Sequence, residues 1–186
     1  DILATTGIHL GGTDFDRLLD LAAVMPLLGY KHQGTGGRPV PNSVFFDLAT
    51  WHLIHQAYTR RALHFARELR PSYADPVLHQ RLVQVLDGQH GHRLLAAVEV
   101  AKIACSESGQ MAPITLDFLA MGLSVNIDAR RLQEALQPSV TQVVQCAQAC
   151  IIAAGRTSVD AVYLTGGSSA LRPMVDALRL AMPQAT

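Results

Sequence analysis

The sequence predicts a mixed α/β fold, and three observations support this prediction. An apolar, β-branched strand at about residues 2–10 is followed by Gly11-Gly12 and a helix. The same order of strand, glycine turn and helix returns at residues 160–180. Between these ends, residues 12–128 predict mostly helices and one β-hairpin. The 186 residues, of which 49% are hydrophobic, are enough to bury a core in one domain or two small ones.

The boundaries of the predicted elements follow from their flanking residues. Thr13 and Asp14 are expected to cap the first helix, and Pro26 and Gly29 to end it. Residues 30–43 are rich in glycine and proline and predict a loop. Further helices are predicted at about 45–67, 76–87, 92–107, 128–154 and 173–180, and the hairpin at 112–118 and 123–127.

Charge and composition exclude several classes of function. Lys+Arg and Asp+Glu both number 15, so the chain has no net field that would attract nucleic acid or an anionic membrane. Aromatic residues make up 5%, too few to indicate a surface for base stacking. No apolar run reaches the roughly 18 residues of a membrane-spanning helix. We therefore expect no nucleic-acid and no membrane partner.

The cysteines and the first residues bear on the compartment. Cys105, Cys146 and Cys150 are an odd number and too few for a disulfide scaffold, which favours a reducing, cytoplasmic location. The first residues lack both Met and the basic stretch of a signal peptide, so we expect a piece cut from a larger protein. No nucleophile with a base and no regular metal-ligand spacing stands out, so neither a catalytic residue nor a metal site is predicted.

The turn after the predicted strand at 160–165 is the first candidate ligand site. Gly166 and Gly167 let a ligand approach the backbone, and Ser168 offers a hydroxyl where a helix begins. Ligands of open α/β sheets bind beyond the carboxyl ends of the strands, where this turn falls. The alternative is a helix start that needs small residues only for packing.

The turn at Gly11-Gly12 differs because two carboxylates follow it. Asp14 and Asp16 lie in the first helical turn, where they compensate the positive helix end. Helix capping is therefore the favoured interpretation, since direct phosphate binding by these side chains would need a metal ion between them. A backbone contact from Gly12 to a ligand stays open.

Glu99, Lys102 and Ser106 form the third candidate. At 100° per residue, the three fall within about 60° of one another, beside the apolar stripe of the 92–107 helix. An acid, a base and a hydroxyl in this arrangement could bind ribose hydroxyls and a purine edge. The alternative is an ordinary ion pair on an exposed helix face, which contributes only about 0.2–0.5 kcal/mol.

Four segments, in this order, resemble parts of Hsp70 ATPase domains. Segment 6–16, TGIHLGGTDFD, resembles the family's GDTHLGGEDFD, and segment 99–106, EVAKIACS, resembles its adenosine-contacting helix, ERAKRTLS. Segment 162–168, VYLTGGS, resembles the adenosine-side loop LVGGS, and segment 126–136, NIDARRLQEAL, resembles ITRAKFEEL. The resemblance covers nearly the whole chain, with residues 30–90 matching only loosely, and is closest to divergent bacterial Hsp70-like chaperones.

The resemblance implies the second lobe of an actin-like ATPase (ribonuclease H-like) fold. Residues 1–11 and 129–186 would form an incomplete, sheet-based subdomain at the base of the lobe. Residues 12–128 would form a mostly helical inserted subdomain that contains the β-hairpin. In that family adenosine binds between the two parts. The contact residues implied here are Gly12, Glu99, Lys102, Ser106, Gly166, Gly167 and Ser168.

Several family residues are replaced in this chain. The arginine after the family's lysine is Ile103 here, the arginine after GGS aligns with Ala170, and the acid after the second glycine is Thr13. The family's phosphate-binding hairpins, DLGTT and DLGGGT, do not occur in this sequence. We therefore expect a fragment of an ATP-dependent, Hsp70-like chaperone that contributes the adenosine side of the nucleotide cleft and does not hydrolyse ATP by itself.

The implied ligand is ATP or ADP, with Mg²⁺ in the complete parent. Through the parent, unfolded client proteins and co-chaperones are further expected partners. The replacements at Ile103 and Ala170 favour an alternative, a degenerate and non-catalytic actin-like interaction module that uses the helical region at 30–90 as its contact surface. A sugar kinase of the same fold would need a sugar-contacting acid in the inserted region, and no convincing candidate is seen there.

Overall fold

The computed structural model describes residues 1–34 and 37–186, which are mostly helical. Short 3-10 helices lie between the longer elements, among them Met25–Leu28, Arg70–Ser72 and Gly167–Ala170. In chain order the α-helices and strands are α1 (Gly12–Ala23), α2 (Ser43–Ala49), α3 (Ile54–Ala57), α4 (Arg60–Glu68), α5 (Pro76–Asp87), α6 (Gly91–Ser108), β1 (Ala112–Thr115), β2 (Ser124–Ile127), α7 (Ala129–Ala153) and α8 (Arg172–Ala181).

The predicted hairpin is formed by β1 and β2. The two strands pair antiparallel, with Ala112 opposite Ile127. Their inward side chains are buried in the core, as the alternating pattern of a half-buried strand requires. In the connection, the backbone N–H of Gly122 donates to Oδ1 of Asp117 at 2.8 Å, and Gly122 has a φ of +74°. The described residues thus combine helices and strands, as the mixed class predicts, with most of them in helices and a two-stranded antiparallel sheet beside these.

Helix α1 starts slightly earlier than its predicted cap. The backbone N–H of Gly11 donates to Oδ2 of Asp14 at 2.8 Å, so Gly11 is the N-cap and Asp14 stands inside the first turn. The prediction that Thr13 and Asp14 cap the helix is therefore wrong, because both residues lie inside it. The predicted end is confirmed, since α1 is followed by a 3-10 helix that stops at Gly29.

The predicted helix at 45–67 is divided into α2, α3 and α4. Two threonines mark the divisions, because their hydroxyls compete with the helical ladder. The Thr50 hydroxyl donates to the carbonyl of Phe46 at 2.7 Å where α2 ends, and the Thr59 hydroxyl accepts the N–H of Ala62 at 3.3 Å where α4 begins. In the predicted loop at 30–43, residues Thr35 and Gly36 lie outside the described residues.

Helix α7 supports the C-terminal part of the chain. The Asp128 side chain caps it, because its Oδ1 accepts the N–H of Arg131 at 2.7 Å. The helix continues through Pro138, which costs it one backbone hydrogen bond, and Gly155 follows its end with a φ of +67°. None of the described helices combines the length and the hydropathy that a bilayer crossing requires.

One hydrophobic core contains residues from both predicted subdomains. Phe15 and Leu94 come from residues 12–128, and Leu136 and Leu178 come from residues 129–186. Helix α1 packs against α6 and α7, and α8 packs against α7. The start of α1, the C-terminal half of α6 and the turn before α8 therefore meet at one place on the molecule.

The two predicted strands at 2–10 and 160–165 are wrong as elements, because neither segment is a strand in the structure. The first segment touches α7, where the Thr6 hydroxyl donates to the carbonyl of Cys146 at 3.1 Å. The second segment pairs with Thr186, through two backbone hydrogen bonds of 3.0 and 3.1 Å. A buried strand needs neighbours on its edges and faces, and the described residues supply no such strands here. The predicted sheet of the base subdomain is therefore not formed, and Tyr163 is 90% exposed.

Candidate ligand-binding site

A cavity of about 500 Å³ lies between the start of α1, the helix α6 and the turn before α8. This volume falls in the range of small-molecule sites. Its lining residues are Gly12, Thr13, Phe15, Asp16, Glu99, Lys102, Ile103, Ser106, Glu107, Gly167, Ser168, Ala170 and Leu171.

Six of the seven contact residues predicted from the sequence line this cavity. They are Gly12, Glu99, Lys102, Ser106, Gly167 and Ser168. The seventh, Gly166, is adjacent to Gly167 but is not one of the lining residues in the structure. Segments that are far apart in the sequence are thus brought to one place, as the resemblance implied for an adenosine site.

Helix α6 forms one wall because its polar stripe runs beside its buried stripe. Val98, Ala101 and Cys105 are buried in the core and fix the rotation of the helix. This rotation leaves Glu99 exposed at the cavity and puts Lys102 on the boundary, where it is buried. The wall therefore presents an exposed carboxylate beside a buried ammonium group.

The turn at Gly166 and Gly167 forms the opposite wall. Gly166 has a φ of +88°, which favours glycine, and a short 3-10 helix follows. A Cβ atom on Gly167 would meet no described atom within 4 Å, so the backbone is open to a ligand there. A Cβ atom on Gly12 would lie 3.6 Å from Oγ of Ser168, which shows how closely the two glycine turns approach.

Ser106 joins the two walls. Its hydroxyl donates to the carbonyl of Ala170 at 3.0 Å and accepts the backbone N–H of Arg172 at 2.9 Å. A serine hydroxyl has a single proton, and the Ala170 carbonyl already receives it. The Ser106 hydroxyl can therefore accept a hydrogen bond from a ligand but cannot donate one. Its role in the structure is to hold the turn against α6.

A buried ion pair between Asp16 and Lys102 connects α1 to α6. Nζ of Lys102 lies 2.6 Å from Oδ1 of Asp16, and each side chain is only 10% exposed. The alternative interpretation, an exposed pair of Glu99 with Lys102, is not formed, because Lys102 is paired across the helix interface instead. Sequence reasoning assigned Asp16 to the helix end and missed this contact. The available signal was its position on the same side of α1 as Phe15 and Leu19, which are buried.

Burial changes the ionisation of the two aspartates on α1. Burial raises the pKa of Asp16 from 3.8, while its hydrogen bond and charge interaction with Lys102 oppose this rise and the charge of Glu99 adds to it. One turn further along, burial raises the pKa of Asp20 well above 3.8, and the charge of Asp16 raises it further. Both carboxyl oxygens of Asp20 lack a hydrogen-bond partner among the described residues. The Asp20 carboxyl therefore favours its neutral form.

A second cavity, of about 550 Å³, lies between the end of α7 and the C-terminal residues. It is lined by apolar side chains such as Ile151 and Met182, with Arg156 beside them. None of the seven predicted contact residues lines it. The first cavity is the better candidate, because it has a buried ion pair and open backbone at the same place.

A comparison with models of known protein families finds no match for this chain. The geometry of the first cavity and the residues that line it are therefore the basis of a functional assignment.

Proposed function

We propose that this chain forms the adenosine-binding side of the nucleotide site in an ATP-dependent, Hsp70-like chaperone. One observation carries the proposal: Glu99 and Lys102 on α6 and Gly167 and Ser168 in the turn before α8 line the same cavity. These two segments are the ones that resemble the adenosine-contacting helix and loop of that family. The cavity volume of about 500 Å³ also suits a nucleoside.

The lining residues fit the chemistry of adenosine. The carboxylate of Glu99 would accept a hydrogen bond from a ribose hydroxyl, and the ammonium group of Lys102 would donate one. Phe15, Ile103 and Leu171 supply apolar surface in the same cavity for a purine ring. The open backbone at Gly167 would let the ring approach closely. The resemblance implies that Gly12 would lie near the phosphates of the nucleotide.

In the parent protein, we expect ATP with Mg²⁺ to close two lobes around the nucleotide and its hydrolysis to release them. This movement would be relayed to unfolded clients and co-chaperones. The segments DLGTT and DLGGGT that bind phosphate in the family are missing from this sequence, so we expect the chain itself to bind the nucleoside part without hydrolysing ATP.

The test is calorimetric titration of the chain with adenosine and ADP, compared with the variant Glu99→Ala. Removing a hydrogen bond to a charged group costs about 1.5 kcal/mol, so we expect affinity to fall about tenfold. The matched control is Glu134→Ala, an exposed glutamate on α7 that pairs with Arg130 at 3.4 Å and lies outside the cavity. Absence of binding in the unmodified chain would refute the proposal.

A second candidate is a non-catalytic interaction module. Exposed aromatic side chains in the helical region at 30–90 favour it, among them Trp51, which is 51% exposed, and Phe65. Such a module would show no heat of binding with adenosine or ADP in either the unmodified chain or the Glu99→Ala variant. The same titration therefore separates the two candidates.

A further inference from the structure

The wall of the first cavity carries more negative than positive groups. Asp16, Glu99 and Glu107 contribute three carboxyl groups, and Lys102 is the single Lys or Arg among its lining residues. A fourth carboxylate, Asp14, stands at the start of α1, where it accepts the N–H of Gly11. The positive end of this helix is thereby compensated before any ligand arrives.

Lys102 is not a free cation for an anionic ligand. Its Nζ atom lies 2.6 Å from Asp16, and both side chains are buried. A phosphate would have to compete with Asp16 for the ammonium group, and breaking a buried pair leaves one charge uncompensated. The ammonium group has three N–H donors, so it can still donate to a neutral acceptor such as a hydroxyl.

Arg172, which follows the turn, does not line the first cavity. Nη2 of Arg172 donates to the backbone carbonyl of Glu107 at 3.2 Å, and Nη1 lies 3.0 Å from where a Cβ atom of Gly109 would stand. Arg172 lines a different, smaller cavity, which shares Ser106 with the first.

We infer that, without a divalent cation, this cavity binds a neutral, ribose-bearing nucleoside more tightly than the same nucleoside with a phosphate. The inference rests on the proposed function and adds the charge of the ligand that the site accepts. A ribose diol is complementary to the wall, because its hydroxyls can donate to Glu99 and accept from Lys102. A phosphate on that ribose meets Glu99 and Glu107, which form no ion pair among the described residues, and no unpaired Lys or Arg of the lining, so it needs a divalent cation to neutralise it.

The experiment compares adenosine with AMP by calorimetry, without divalent metal, at about 20 mM and about 500 mM NaCl. We expect AMP to bind about fivefold more weakly than adenosine at low salt, since each exposed carboxylate contributes modestly. At high salt the Debye length falls to about 4 Å, and the difference should shrink. The variant Glu107→Gln should narrow the ratio of the two affinities about twofold at low salt, and Glu134→Gln on α7 should leave it unchanged.

Each outcome decides the question. If AMP binds as tightly as adenosine or more tightly at low salt, the inference is overturned and the proposed adenosine site remains. If Glu107→Gln leaves the ratio unchanged, repulsion by the cavity wall is not the cause of the preference and the inference is again overturned. If neither compound binds, the proposed function fails, and the inference fails with it.

Discussion

The hydroxyl of Ser106 holds the turn before α8 against α6 with two hydrogen bonds, of 3.0 Å to Ala170 and 2.9 Å from Arg172. The change Ser106→Ala removes both and leaves the N–H of Arg172 without this acceptor. At about 1 kcal/mol for each hydrogen bond, we expect the free energy of unfolding to fall by about 2 kcal/mol. For a chain of this length, this corresponds to a decrease in Tm of about 4–8 °C.

The matched control is Ser108→Ala on the same helix. The Ser108 hydroxyl also makes two hydrogen bonds, donating to Ala104 at 2.7 Å and accepting from Gln110 at 3.0 Å. Ser108 is exposed, so water replaces both partners, and we expect a change within about 0.5 kcal/mol.

Urea unfolding followed by circular dichroism measures both variants against the unmodified chain. Each serine donates to a backbone carbonyl and accepts a backbone N–H, but the partners of Ser106 lie in the turn before α8 and those of Ser108 lie near it in sequence, so the comparison isolates the link between α6 and the turn. Equal destabilisation by the two changes, or none by Ser106→Ala, would refute the reasoning that Ser106 joins the walls of the cavity.

Two further predictions concern α1 and the turn after it. Burial makes the pKa of Asp20 higher in the folded chain than in the unfolded chain, so the folded chain binds a proton there more tightly. The free energy of unfolding should therefore fall as the pH rises from about 4 through the folded pKa. Asp20→Asn cannot ionise, so its free energy of unfolding in urea should fall less than that of the unmodified chain as the pH rises, and parallel curves would contradict this. Gly29 has a φ of +104°, and a Cβ atom there would overlap the ring of Tyr73, so Gly29→Ala should cost about 2–4 kcal/mol in thermal unfolding. Gly37→Ala, with a φ of +72° and no described atom within 4 Å of the added Cβ atom, should cost only about 1 kcal/mol, and equal losses would count against the steric argument.

The parts of the fold that sequence reasoning predicts well are those set by local pattern. The apolar period of 92–107 predicts α6 and its polar stripe, and alternation with a Met121-Gly122 turn predicts the hairpin. In both cases the spacing of the element's own apolar residues shows which of its sides is buried. Six of the seven contact residues line one cavity, and it was the resemblance, not a local pattern, that implied that their segments meet.

The errors concern features that depend on a partner elsewhere in the chain. The segments at 2–10 and 160–165 have the composition of strands, but a strand is stabilised by its neighbours, and no local pattern shows whether these exist. The pair of Asp16 with Lys102 depends on how α1 crosses α6, which the period of either helix leaves open. Ser106 was expected to contact the ligand, yet most of its hydrogen-bonding capacity is used by the turn that folds onto it.

The most direct test of the adenosine site is a titration with adenosine followed by two-dimensional amide NMR. If the nucleoside enters the first cavity, we expect the amide signals of Glu99, Lys102, Gly167 and Ser168 to shift together with one dissociation constant. The signals of residues that line the second cavity, at 148–159 and 181–185, should not move. Shifts confined to that second cavity, or none at any residue, would contradict the assignment of the first cavity as a nucleoside site.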